Sequence, residues 1–284
     1  MRRWIVLACV LAGCSQAHGT LAVRLGGEAA AEHGWPLEID GETIAFADEW
    51  SLEFDRVIVS VSAFSIAGGD GERVALEVDP VVADLHGGPI EAWRFEAIGA
   101  RRWERLDWRI APPTAGARTL GSVQSADVMR MIDSGWSMLL EGRATHPEHG
   151  TYELSLGLAL DVDNVGCELE DGTLGIVVPE GGIADTELTF HLDHLFFDDL
   201  GAEPEMRFEA WAAAAGEDRV ITLDDLASQS LADLRGIGGG PLGVTYDPGA
   251  TPLASGDLRA FVIAVATSVG HLNGEGHCEY DVAR

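Results

Sequence analysis

The chain has 284 residues, 47 of them acidic and 18 basic, and every basic one is an arginine; the formal net charge is −29. So negative a chain repels phosphate backbones, which excludes nucleic acid as a partner, and it attracts cations, divalent metal ions above all. The same charge also keeps a protein soluble and favours a monomer, so it names no ligand by itself.

Met1-Arg2-Arg3 is a short cationic start, followed by the apolar run Trp4 to Val10 and then Leu11-Ala12-Gly13-Cys14. This is the layout of an export signal, whose positive end stays inside while a short apolar segment enters the translocation machinery. It is too short to span a bilayer, which takes roughly 20 apolar residues, and no later segment is long enough either. LAGC resembles a lipobox, the cleavage signal of bacterial lipoproteins. The resemblance implies that residues 1–13 leave as a signal peptide and that the Cys14 thiol is acylated, which anchors the protein to a membrane. Ser15 stands where an aspartate would mark inner-membrane retention, so the expected home is the outer membrane, on its periplasmic or surface face. Loss of Arg2 and Arg3 takes the basic count from 18 to 16 and the net charge from −29 to −31. The alternative is an ordinary cleaved signal with a chance cysteine.

Residues 14–32 are small and polar and read as a tether between lipid and fold. A β-rich domain is expected over residues 33–200. Trp50, Leu52 and Phe54 share one parity and Val57, Val59, Val61 and Phe64 continue the run, which calls for a bulge or turn between them. Ala92–Ile98 and Trp103–Ile110 read as strands joined at Gly99-Ala100. Ser125 can cap a helix over Ala126–Asp133 that Gly135 ends. Further strands are expected at Trp136–Gly142, Tyr152–Leu160, Gly175–Val178 and Glu187–Leu195. Short strands with glycine-rich turns at this spacing indicate a mainly β fold, an antiparallel sandwich or barrel-like sheet domain. Residues 201–284 then read as a small helical C-terminal region, with helices at Pro204–Ala215, Thr222–Leu234 and Ser255–Val269.

Gly236-Ile237-Gly238-Gly239-Gly240-Pro241 is loop and not a phosphate cradle, since the GxxxxGK[ST] pattern is absent. Residues 214–225 resemble an EF-hand in outline, but Ala214 and Gly216 occupy the first and third ligand positions and Arg219 the glycine position, so calcium is not expected there. A capping interaction between Thr222 and Asp225 explains that stretch better.

Cys9 leaves with the signal and Cys14 carries lipid, so Cys167 and Cys278 remain and are expected to form one disulfide in an oxidising compartment. The competing role makes Cys278 a metal ligand beside His277. Phe190-His191-Leu192-Asp193-His194-Leu195-Phe196-Phe197-Asp198-Asp199 concentrates histidine and acid among large apolar residues. A strand here would put His191 and Asp193 on one face, while helical spacing would join His191 to His194. Either geometry supplies two ligands, so others must come from the tail, where His271 and His277 are the candidates. Neutral imidazoles with a carboxylate suit zinc or copper better than calcium. His146 and His149 in HPEH read as the tip of a hairpin.

GxSxG and HExxH are absent and HLDH does not match HxHxDH, so no enzyme is expected. Arg101, Arg102, Arg105 and Arg109 alternate with Trp103 and Trp108, which fits arginine stems laid on indole rings. His191, His194, Leu195, Phe196, Phe197, Asp198, Asp199, Gly276, His277 and Cys278 together resemble uncharacterised lipid-anchored proteins of high-GC Gram-negative bacteria. That resemblance implies lipoprotein status more than any activity. The reading is an envelope lipoprotein that binds a transition metal through His191, His194, Asp193, His271 and His277; the alternative is a structural or interaction lipoprotein with an envelope protein partner and no ligand.

Overall fold

Two breaks in alternation shape the 17-residue strand Ser51–Ala67. Leu52 and Phe54 have one parity and Val57, Val59 and Val61 the other, yet all five are buried. Against its antiparallel neighbour Met138–His146, Phe54 faces Gly142 and Arg56 faces Glu141, so Asp55 is the extra residue of a bulge. One inserted residue returns the following apolar side chains to the core face. A second irregularity, between Ser62 and Ser65, lies where Ala63 adopts φ 55°, and it turns Phe64 inward too.

The computed structural model describes residues 17–39, 41–75, 79–199 and 204–282, so the expected signal peptide and Cys14 lie outside the described residues. Ser51–Ala67 is the spine of a ten-stranded sheet in the order Val220–Ile221, Gly150–Leu158, Met138–His146, Ser51–Ala67, Arg105–Ile110, Val162–Val165, Glu279–Val282, with three short strands branching from it. A four-stranded sheet runs Gly270–Leu272, Ile183–Phe190, His18–Gly26, Ile90–Gly99. Its inner pair is parallel and both outer pairs are antiparallel. Past the turn at Gly99-Ala100, Arg102–Trp103 pairs with Ile176–Val177, and Arg105–Ile110 then enters the large sheet.

Leu21, Val23 and Leu25 of the small sheet share one buried cluster with Val57, Val59, Leu140 and Leu156 of the large one. Trp108 meets Phe190 edge-on at 5.6 Å and Phe64 stacks on Trp93 at 5.7 Å, both pairs crossing between sheets. Each fully buried side chain of this size contributes on the order of 1.5–3 kcal/mol. The fold is therefore mainly β, sheet facing sheet. Arg101 lies 4.3 Å from the Trp103 ring centroid, as the arginine and tryptophan alternation suggests.

Two expected segments differ. The described part of the tether is structure: His18–Gly26 is a strand inside the small sheet and Glu28–His33 a helix. Leu21, Val23 and Leu25 point into the core while Thr20 and Arg24 on the other face stay partly exposed, an alternation of only three apolar positions set among the small residues Gly19, Ala22 and Gly26.

Residues 201–284 carry fewer helices than expected. Glu209–Ala214 and Leu258–Ala266 are helices, but Thr222–Leu234 contains only the 3-10 turn Asp225–Ser228. Gln229 accounts for this: its side chain accepts from the Arg235 N–H at 3.0 Å and donates to the Arg235 carbonyl at 3.2 Å, in place of a helical ladder. The Thr222 N–H does donate to Asp225 Oδ2 at 2.9 Å, the capping contact expected from their spacing. Three strands from this half enter the two sheets. Phe261, Val262 and Val265 join the shared core.

Cys167 and Cys278, 111 residues apart, form a disulfide. The Glu168 N–H also donates to the His277 carbonyl at 2.8 Å, so the C-terminal segment is held to the sheet by both covalent and hydrogen bonds.

Candidate metal centre

The strand expected over Glu187–Leu195 stops at Phe190, and Leu192–Phe196 follows as a 3-10 helix with His191 at its N-cap. A 3-10 turn places residues three apart on one side. That geometry buries Leu192, Leu195 and Phe196 and brings the His191 and His194 rings to 5.3 Å. The same-face pairing of His191 with Asp193 that a strand would give is absent, though Asp193 Oδ1 remains 3.8 Å from His191 Nδ1.

His271 comes from the short strand Gly270–Leu272, which pairs antiparallel with Leu188–Phe190 and sets His271 opposite Thr189. Gly270 permits this approach, because a Cβ there would lie 2.6 Å from Asn164 Oδ1 and 2.9 Å from the Trp108 ring. Beyond it the chain turns tightly. Leu272 and Gly276 exchange backbone hydrogen bonds of 3.0 and 3.1 Å, and Asn273 Oδ1 accepts from the Glu187 N–H at 2.7 Å. Gly274 donates to Thr189 Oγ1 at 2.9 Å. Asn273 and Gly274 have φ 51° and 79°, a left-handed region that these two residue types tolerate best.

His271 therefore lies 4.0 Å from His191 and 5.2 Å from His194, centroid to centroid. One ring nitrogen from each of the three histidines falls within 4.8 Å of the other two. His191 and His271 are buried and His194 is half-buried. His277 is exposed and its ring is 5.5 Å from that of His271, so it flanks the triad without joining it. A second group, Glu28, His191 and Glu275, meets the same 4.8 Å criterion. Glu28 has φ 55°, a costly conformation for a glutamate and one that recurs at ligand sites.

Hydrogen bonds indicate which nitrogens carry protons. His194 Nδ1 is 3.1 Å from the Ser268 carbonyl and His191 Nε2 is 3.1 Å from the Gly274 carbonyl. A carbonyl only accepts, so both nitrogens donate, and the lone pair of each neutral ring sits on its other nitrogen. Carbonyl partners of this kind fix tautomer and orientation in histidines that bind metals. His271 Nδ1 is enclosed and has no hydrogen-bond partner among the described residues. Burial, with the nearby His191, His194 and His277 charges behind it, pushes His271 down to about 3. Burial also pushes His194 below the usual histidine range. Both rings are accordingly neutral at pH 7, the protonation state a metal ligand needs.

Cys278 is committed to the disulfide, so it is not a thiolate ligand here. His146 and His149 stack at 4.6 Å against Trp50, with His146 Nδ1 accepting from the Glu148 N–H at 3.1 Å across the hairpin tip. Sequence reasoning missed Glu28, which lay in the supposed tether, and gave Glu275 no role. Only the acid-rich wording of the tail, His271-Leu272-Asn273-Gly274-Glu275, could have pointed to the latter. No known protein family matches this chain, and no match to a curated protein or a solved structure was found.

Proposed function

We propose that this is a non-enzymatic, exported lipoprotein, anchored to the outer membrane through Cys14, that binds one transition-metal ion through His191, His194 and His271. One observation carries the metal: three imidazole nitrogens converge within 4.8 Å. One of the rings, His271, has a buried nitrogen, Nδ1, with no hydrogen-bond partner among the described residues. Leaving such an atom unsatisfied costs about 1–3 kcal/mol, which a bound ion would relieve. Three imidazoles without a thiolate suit zinc or copper(II), and calcium, which takes oxygen donors, is disfavoured. Asp193 Oδ1, 3.8 Å from His191 Nδ1, adds negative charge beside the nitrogen that would take the ion. His277 borders the triad.

Elemental analysis of the protein purified without a histidine tag tests this. About one equivalent of zinc or copper, with a rise in melting temperature when either is added to metal-free protein, is the expected result. Less than a tenth of an equivalent and no thermal shift would leave the structural or interaction lipoprotein as the reading. For the anchor, Cys14→Ser should move the protein from the membrane to the soluble fraction; unchanged membrane association would contradict it.

A further inference from the structure

The two groups of converging ligand atoms share one residue. His191 belongs to the buried imidazole triad and also to a group with Glu28 and Glu275, where its Nε2 is 3.5 Å from Glu28 Oε1. The two groups differ in exposure and donor type. His191 is 4% and His271 7% exposed, while Glu28 is half-buried and Glu275 exposed. The outer group is thus a carboxylate pair nearer the surface, and the inner one a set of imidazole nitrogens that is more buried.

A neutral imidazole offers a single lone pair, so His191 can ligate at one position at a time unless it loses its last ring proton. Carboxylates attract a hydrated divalent ion over a distance, and imidazoles then hold the borderline ions more selectively. We propose, resting on the metal-binding reading above, that Glu28, Glu275 and His191 form an outer capture position through which a divalent transition-metal ion enters and leaves the buried triad. Asp193 and Glu187, which add their negative charge around Glu28, strengthen the same field. His191 is the ligand common to both positions. In the outer position Nε2 takes the ion and the ring proton sits on Nδ1; as the ion moves inward to His194 and His271, that proton leaves Nδ1 to water and Nε2 takes one from water, restoring the bond to Gly274 with no net change in protons. No second ion is required.

The test is stopped-flow uptake of zinc by the metal-free, untagged full chain, with total zinc bound measured alongside. Wild type should bind one equivalent. Glu28→Gln with Glu275→Gln should also bind one equivalent, but with association and dissociation each slowed at least about ten-fold, within the usual range of electrostatic capture. A control, Glu96→Gln with Asp185→Asn, removes the same charge from the small sheet without touching the outer group and should leave the rates within about two-fold. Equal rates in wild type and the Glu28/Glu275 variant would overturn the capture position, as would equal slowing in the control. Two equivalents in wild type, one of them lost in the variant, would overturn the handover in favour of simultaneous occupancy. No zinc bound by wild type would overturn the metal-binding reading itself, and this inference with it.

Discussion

Acidifying the metal-free protein should destabilise it through His271. Its ring is buried, Nδ1 has no hydrogen-bond partner among the described residues, and burial pushes it down to about 3 in the fold, against about 6.5 for a free histidine. The folded-state value is depressed, so the unfolded chain binds the extra proton. The associated stability is complete above about pH 6.5 and falls as pH drops toward 3. Between pH 7 and pH 5 the linkage amounts to about 2 kcal/mol without screening. Solvent at the half-exposed rim of the cluster reduces this, and about 1 kcal/mol is the working figure. Carboxylates titrate over the same range, so the readout is a difference: urea unfolding followed by tryptophan fluorescence, with a chelator present, for wild type and His271→Asn. Wild type should lose about 1 kcal/mol more than the variant between pH 7 and pH 5. Equal losses would refute the assignment of a buried, unprotonated ring at 271.

Three perturbations test how the fold holds the site. Replacing both Cys167 and Cys278 by serine releases a constraint across 111 residues and should lower stability by up to about 5 kcal/mol in chemical denaturation; a loss under about 1 kcal/mol would mean that backbone pairing alone secures the tail. Gly270→Ala puts a methyl 2.6 Å from Asn164 Oδ1, and overpacking of this kind should cost about 1–3 kcal/mol and weaken zinc binding by displacing His271. Phe196→Ala empties a cluster in which Phe196 meets Trp35, Phe46 and Trp211 at 5.6, 5.3 and 5.0 Å, and a loss of about 3–5 kcal/mol is expected from its thermal unfolding.

What was legible in the sequence follows the range of the interactions. The parity change between Phe54 and Val57 is local, and the bulge it demands is present at Asp55. The disulfide was the simplest fate for the two cysteines left after the signal and the lipid site, and its formation removes the competing role of Cys278 as a metal ligand. The clustering of His191 with His194 was legible in spacing, but the choice between strand and helical geometry depended on the chain leaving the sheet at Phe190, which local pattern does not record. The parallel pairing of His18–Gly26 with Ile183–Phe190 joins segments more than 150 residues apart, and the first of these has only Leu21, Val23 and Leu25 alternating among small residues, so it looked like a small-residue tether. Glu28 was lost with it, because a carboxylate gains its role only when the helix start it occupies is packed beside His191. The helix expected over Thr222–Leu234 failed for the converse reason: Gln229 bonds the backbone of Arg235, a competition that apolar periodicity does not register.

X-ray absorption on the zinc-loaded chain addresses the central claim most directly. The account predicts a first shell dominated by nitrogen at about 2.0–2.1 Å with the outer-shell scattering of three imidazoles, reduced to two in His271→Ala. A first shell of oxygen alone, or a spectrum that His271→Ala leaves unchanged, would contradict it.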